Sequence, residues 1–256
     1  MSHKVVIISF LLLSQKIFAQ ISPLEADRPD QTETPALVPK KYFQFETGFI
    51  YEKDRIDQVE TKNFTYPTIL AKYGVNNKFE LRLIISNSYS KIKEQSKQTK
   101  LSGISPVEIG FKTRLMEEKG IIPLTSVIMH IVIPKIASKD FKAYHLSTNF
   151  RFTMQHTLSE KISLGYNLGA EWDGISPDAT GTYTLTTGFK FSEKFGAYIE
   201  LFGFLPEETE ASHSFDGGIS FLPKKNLMLD ISAGFGVNKT APDYFVGCGF
   251  SLRLPN

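Results

Sequence analysis

The sequence predicts an all-β fold, an antiparallel up-and-down transmembrane β-barrel of about 12 strands, and three observations carry that prediction. Segments of roughly ten residues alternate apolar and polar side chains, as strands do when one face meets lipid and the other a wet lumen. Beyond the N-terminus, no apolar run approaches the ~20 residues that a helical span requires. The breaks between segments are alternately short and long, which suits a barrel with tight turns at one end and open loops at the other. The 21 Phe, 10 Tyr and 18 Gly fit aromatic-rich strands closed by tight turns.

Residues 1–19 come first. Lys4 precedes the apolar run from Val5 to Leu13, and Ile17-Phe18-Ala19 precedes Gln20. This is the pattern of a signal peptide, so the chain is expected to be exported, with its mature form starting near Gln20. Residues 20–41 form a periplasmic N-terminal segment. It contains the stretch EADRPDQTETPALVPK, whose Pro29, Pro35 and Pro39 are too closely spaced for a helix and too frequent for a paired strand. The expectation is that this segment plugs the barrel or docks at its mouth, with Asp27, Arg28 and Asp30 meeting opposite charges there. The plain alternative is a tether to the first strand.

The barrel occupies residues 42–256. In Lys161 to Trp172 the residues Ile162, Leu164, Tyr166, Leu168, Ala170 and Trp172 share one face, and Ser163, Gly165, Asn167, Gly169 and Glu171 share the other. The same alternation places strands near 42–53, 63–73, 79–90, 104–116, 121–134, 143–157, 161–172, 180–191, 195–205, 212–222, 227–238 and 244–254. The strand at 121–134 is the least regular, because Ile128, Met129, Ile131, Val132 and Ile133 fill both of its faces. Inner turns are expected at 74–78, 117–120, 159–161, 192–194 and 223–226. Outer loops are expected at 54–62, 91–103, 135–142, 173–179, 206–211 and 239–243. A soluble β-sandwich shows the same alternation but gives no reason for loop length to follow strand parity. Aromatics near strand ends, such as Tyr42, Phe43, Tyr51 and Trp172, suit interfacial girdles.

With the apolar face toward lipid, the lumen and its constriction receive Glu46, Glu80, Arg82, Glu108, Lys112, Arg114, Arg151, Glu171, Asp216, Asp230 and Arg253, together with Lys72, Lys190 and Glu200. These charges nearly cancel, as either ion-pair ladders that close the lumen or a wet, selective constriction would require. Overall, 29 basic residues against 27 acidic ones leave no field to recruit nucleic acid. The lone Cys248 excludes an internal disulfide framework. The five histidines lack paired ligand spacing and no glycine pattern forms a phosphate cradle, so neither a metal nor a cofactor is expected. His145-Leu146-Ser147, with Asn149 beyond, has the spacing of an outer-membrane lipase nucleophile, yet alternation points His145 and Ser147 away from lipid. No enzyme is therefore expected. Expected partners are outer-membrane lipid and lipopolysaccharide, the latter through Lys91, Lys93, Lys97 and Lys100, along with the barrel-insertion machinery and a small solute.

Asp27-Arg28-Pro29-Asp30-Gln31-Thr32-Glu33-Thr34-Pro35, then Val38-Pro39, then Gln44-Phe45-Glu46-Thr47-Gly48, is the most distinctive run of the chain. It resembles the N-terminal signature of a bacterial outer-membrane transporter family, the MetA-pathway of phenol degradation proteins. The likeness continues through Tyr73-Gly74, Phe79-Glu80-Leu81-Arg82, Ile109-Gly110-Phe111-Lys112 and Asp243 to Gly247. Lys40-Lys41 stand where a glycine is expected, and Leu254-Pro255-Asn256 replaces the final aromatic residue that the insertion machinery reads in many barrels. The resemblance implies a cell outer-membrane channel for small solutes, hydrophobic or aromatic ones included, and favours docking of the N-terminal segment over a tether. A closed structural barrel without transport is the alternative, and a lipase-like enzyme a distant third.

Overall fold

The computed structural model describes residues 22–256, so the signal segment expected at 1–19 lies outside the described residues. The chain forms one closed antiparallel barrel. Its strands are β1 (Tyr42–Ile56), β2 (Val59–Asn76), β3 (Phe79–Glu94), β4 (Lys97–Ile104), β5 (Val107–Met116), β6 (Leu124–Ile133), β7 (Ser147–Thr157), β8 (Ile162–Glu171), β9 (Thr180–Lys190), β10 (Phe195–Pro206), β11 (Ser212–Lys224), β12 (Leu227–Gly236) and β13 (Tyr244–Pro255). Apart from β4 and β5, which both pair with β3, each pairs with its sequence neighbours, and β13 returns to β1 from Tyr42↔Pro255 to Lys53↔Tyr244.

Thirteen segments make twelve staves, because β4 and β5 are two halves of one. The upper part of β3 pairs with β4 and its lower part with β5, and the break falls at Ser105-Pro106. Proline has no N–H to give to the ladder, so the stave stops and restarts there. The free edge of β4 is covered by the β6–β7 connection: the Ser138 N–H donates to the Ile104 carbonyl at 2.8 Å and the Ser102 N–H to Asp140 at 3.1 Å.

The expected alternation sets the two faces. Leu81, Ile109, Leu185 and Ile231 are about half exposed on the outer face, whereas Glu80, Lys112, Ser126, Thr153 and Ser251 on the inner face are fully buried. In β6, Ile128 turns inward and is buried, while Met129 and Ile131 face out. Two aromatic belts border the apolar band. Phe43 and Tyr73 (4.6 Å between ring centres), Phe79 and Phe111 (5.4 Å) and Phe195 and Phe221 (4.7 Å) mark the end with short turns. Tyr51 and Phe64 (4.8 Å) mark the other end. Tyr51 and Phe43 are separated by about 26 Å along β1 at roughly 3.3 Å per residue, or about 20 Å in height at a strand tilt of ~40°, so the two belts bracket most of a lipid-facing band about 25 Å tall.

Two loops and two strand starts depart from the sequence reading. The expected loops 54–62 and 91–103 are instead paired hairpins that prolong β1–β2 and β3–β4, with tips at Asp57-Gln58 and Gln95-Ser96. Above the lipid band both faces of a strand are wet, so polar pairing there carries no hydrophobic signal. The strand expected at 143–157 begins at Ser147, and Tyr144 and His145 instead donate their N–H groups to the Gly174 carbonyl. The strand expected at 121–134 begins at Leu124, after a bridge between Lys119 and Ile122.

Depth along a stave is directly testable. Leu185→Arg, at the middle of β9 on the lipid face, is expected to destabilise the folded barrel by about 2–4 kcal/mol in vesicle refolding titrations, and Ile56→Arg on the outer hairpin by about 0–1 kcal/mol.

Candidate functional site

The lumen is occupied by the chain's own N-terminal segment. From the short-turn end, Leu24 donates its N–H to the Lys225 carbonyl at 2.8 Å, and Arg253 donates to the Ser22 carbonyl. The segment rises into the barrel, turns, and leaves through Val38 and Pro39 to enter β1. Lys41, at φ 65°, donates its N–H to the Gly74 carbonyl at 2.7 Å. A Cβ at Gly74 would meet the Val38 and Pro39 carbonyls at 2.2–2.4 Å, so only glycine lets the segment leave along this path.

No strand ladder holds the segment. Its prolines prevent one, so its backbone groups are met by side chains from the wall. Glu46 accepts from the Asp27 N–H (2.9 Å), Glu80 from Val38 (2.7 Å), and Asn167 from Glu33 (2.7 Å). Glu200 accepts from the N–H groups of both Gln31 and Thr32 at 2.7 Å, and from the Thr32 hydroxyl. In return, carbonyls of the segment accept from the wall. Pro35 accepts from Ser126 (2.8 Å), Thr34 from Lys112 (2.8 Å) and Gln31 from Arg151 (3.2 Å).

The centre of the arrangement is Asp27. Lys72 (2.8 Å), Arg82 (2.9 Å) and Lys112 (2.9 Å) all converge on its carboxylate. Arg82 also reaches Glu33 at 2.6 Å and Glu80 at 3.1 Å, and Lys72 pairs with Glu46. The wall thus brings three buried cations and two carboxylates, and the segment adds Asp27 and Glu33. Charges so far from water require partners, and the segment provides half of the anions.

Arg28 is bound on the other side by Asp230 at 2.9 Å. Its guanidinium lies over the cross-strand pair Gly48↔Gly249, where a Cβ on either residue would sit 2.5–2.6 Å from Arg28 Nη2. Asp30, expected to meet opposite charge, instead neighbours the carboxylates of Glu200, Asp216 and Asp27. The docking expected at the mouth therefore lies well inside the barrel, and Asp30 has a different environment from the one foreseen.

The other expected lumen residues divide by height. Glu108 accepts from Asn149 at 2.8 Å, and Glu171 lies 3.8 Å from Arg151 while remaining partly exposed. Arg114 pairs with Glu117 at 2.9 Å near the short-turn end, and Lys190 pairs with Glu193 there. Asp216 accepts from the Tyr198 hydroxyl at 2.7 Å. Sequence reasoning missed Thr32, Glu33, Asn167, Thr184 and His130 as members of the site. The last three share the wet face, but their neutral side chains gave no charge to single them out. His145 lies in an outer connection, and the Ser147 hydroxyl has no hydrogen-bond partner, so the two do not form a nucleophile pair.

The segment does not fill the lumen evenly. A cavity of about 510 Å³ opens between it and the β7–β11 wall at the short-turn end, and a narrower one of about 110 Å³ continues past Asp30, Gly165, Thr186 and Tyr198.

A closed twelve-stave barrel, with a lipid-facing apolar band and a charged lumen occupied by residues 22–40 of its own chain, defines an outer-membrane β-barrel protein. The family model described as "Putative MetA-pathway of phenol degradation" matches residues 26–254, and the chain belongs to that family. An outer membrane channel from Pseudomonas putida F1 has a similar fold at TM-score 0.68 and 10% identity, covering 90% of this chain and 100% of that one. The translocator domain of the autotransporter NalP from Neisseria meningitidis is similar at TM-score 0.55 and 12% identity, covering 85% of this chain and 90% of that one. The transport unit of the autotransporter AIDA-I from Escherichia coli follows at 0.51 and 10%, covering 84% and 89%. No curated protein matches.

Removing the Asp27 carboxylate takes away the contact shared by all three buried cations and leaves Lys112 with only Glu80, at 3.9 Å. Asp27→Asn is expected to weaken docking of the segment by about 3–5 kcal/mol, the cost of breaking a buried ion pair. In a Cys248→Ser background, Thr32→Cys is expected to resist thiol reagents until Asp27→Asn is added, measured as labelling rate in vesicles.

Proposed function

We propose that this chain is an outer-membrane channel for small solutes, aromatic ones included, held closed by residues 22–40 acting as a removable plug. The observation that carries the reading is the way the lumen is closed. The obstruction is a peptide held by side-chain contacts and one backbone bond, from Leu24 to Lys225 in a turn, with no ladder hydrogen bonds to the wall, and those contacts break without unpairing a single strand. The barrel's own strand pairing is thus complete with or without the plug seated.

The uneven filling supports a path along β7–β10. Ser163, Gly165, Thr186 and Gly188 line that side with small neutral groups, while the ionic cluster occupies the β1–β6 side. In the narrow part a solute meets hydroxyls, the Tyr198 ring and one acidic side chain, that of Asp30, and no basic one, which suits small neutral molecules. The family description mentions phenol degradation, but none of the residues lining this cleft selects a phenol over other small neutral solutes.

The second reading, a permanently closed barrel with a structural role, draws on the same cluster. Three wall cations depend on the plug's carboxylates, so withdrawal carries an electrostatic cost.

Conductance in planar bilayers separates the two. The intact protein is expected to be mostly silent, and deletion of residues 22–40 to open long-lived steps at least several-fold larger. A deletion variant that folds, by its heat-modifiable gel mobility, and still conducts nothing would remove the channel reading.

A further inference from the structure

The outer hairpins stand above the lipid band as one four-stranded apron, and their register lines up like charges. Lys53 pairs with Lys62, Lys62 with Lys91, and Lys91 with Lys100. Residues directly opposite in antiparallel strands share a face, so these four ammonium groups form one row across the sheet. That face is the outer one. The next row toward the membrane is Tyr51, Phe64 and Tyr89, with ring centres 4.8 and 5.9 Å apart, which forms part of the aromatic belt. The alternate positions Glu52, Asn63 and Ser90 turn inward and bond to one another at 3.0 and 2.6 Å.

Like charges placed opposite one another destabilise a sheet, and this row is poorly compensated. Glu60 serves one end only, 3.7 Å from Lys53 and 3.1 Å from Lys62, and it also takes Arg55 at 2.6 Å. Among the described residues Lys91 and Lys100 make no ion pair, and Asp140 on the adjoining connection accepts from the Ser102 N–H instead. Lys97 faces the other way, opposite Glu94. A sheet that aligns four lysines against a single carboxylate calls for an external anion.

Height and spacing indicate which anion. The row lies one residue pair above the aromatic belt, about 7 Å along the strands, at the level of lipid headgroups. It spans three strand spacings, roughly 14 Å at about 4.8 Å each, more than one phosphodiester covers. We propose that Lys53, Lys62, Lys91 and Lys100 bind the phosphates of a bisphosphorylated glycolipid of the outer leaflet, the lipid A part of lipopolysaccharide. Its acyl chains would lie on the Tyr51, Phe64 and Tyr89 surface below.

The test uses the full folded protein in detergent, with binding of diphosphoryl lipid A, monophosphoryl lipid A, phosphatidylglycerol and inorganic phosphate measured by native mass spectrometry. Diphosphoryl lipid A is expected to bind tightest, and Lys91→Gln/Lys100→Gln to weaken it at least tenfold. Lys97→Gln/Lys225→Gln, which removes two positive charges elsewhere, is expected to leave it unchanged. Equal loss in both double variants, or binding of phosphatidylglycerol or inorganic phosphate as tight as that of diphosphoryl lipid A, would overturn the assignment. Should the first variant fail to fold, wild-type binding that does not weaken with added salt would overturn it as well.

Discussion

The structure depends on a constraint of charge. Lys72, Arg82 and Lys112 project from neighbouring staves into one small region out of reach of bulk water, and the Asp27 carboxylate meets all three. Without the segment, which brings Glu33 as well as Asp27, the wall holds three buried cations against the two carboxylates of Glu46 and Glu80, and a low-dielectric lumen tolerates such an excess poorly. The strands therefore set the height at which the N-terminal segment must sit. The segment in turn makes that strand sequence tolerable.

The same logic explains why the segment needs no regular structure. Pro29, Pro35 and Pro39 deny it a ladder, so each remaining N–H inside the lumen needs a side-chain acceptor. Glu46, Glu80, Asn167 and Glu200 take that part, which is why carboxylates on the wet face accept from backbone donors as well as from cations. Arg28 adds a steric element, since its guanidinium occupies the space left by Gly48 and Gly249.

The fold was legible in the sequence because a strand between lipid and lumen has to alternate. The twelve staves, their order and the faces of Leu81 or Glu80 follow from that period. It fails where its cause fails. Beyond the belts, Lys53 to Lys62 and Lys91 to Lys100 pair as strands with both faces wet, so they read as loops. Tyr144 and Leu146 continue an apolar rhythm outside any strand. Within the lumen, charge marked Glu46, Arg82 and Lys112 but could not say what faces them, because partners from an irregular segment obey no period. Asp30 shows this limit most clearly. Its sign suggested a basic neighbour, and the path of the chain places it beside Glu200 and Asp216.

The contacts of the segment also have a mechanical meaning. Through Glu46, Lys72, Arg82, Lys112, Ser126, Arg151, Asn167, Thr184, Glu200, Asp230 and Arg253 it bonds to eleven of the twelve staves, so it acts as a hub with spokes to nearly the whole rim. A ring of hydrogen-bonded strands resists stretching around its circumference far more than flattening of its cross-section. A hub resists flattening. The N-terminal segment therefore determines the roundness of the barrel as well as the room inside it, and its withdrawal would free the wall to change shape.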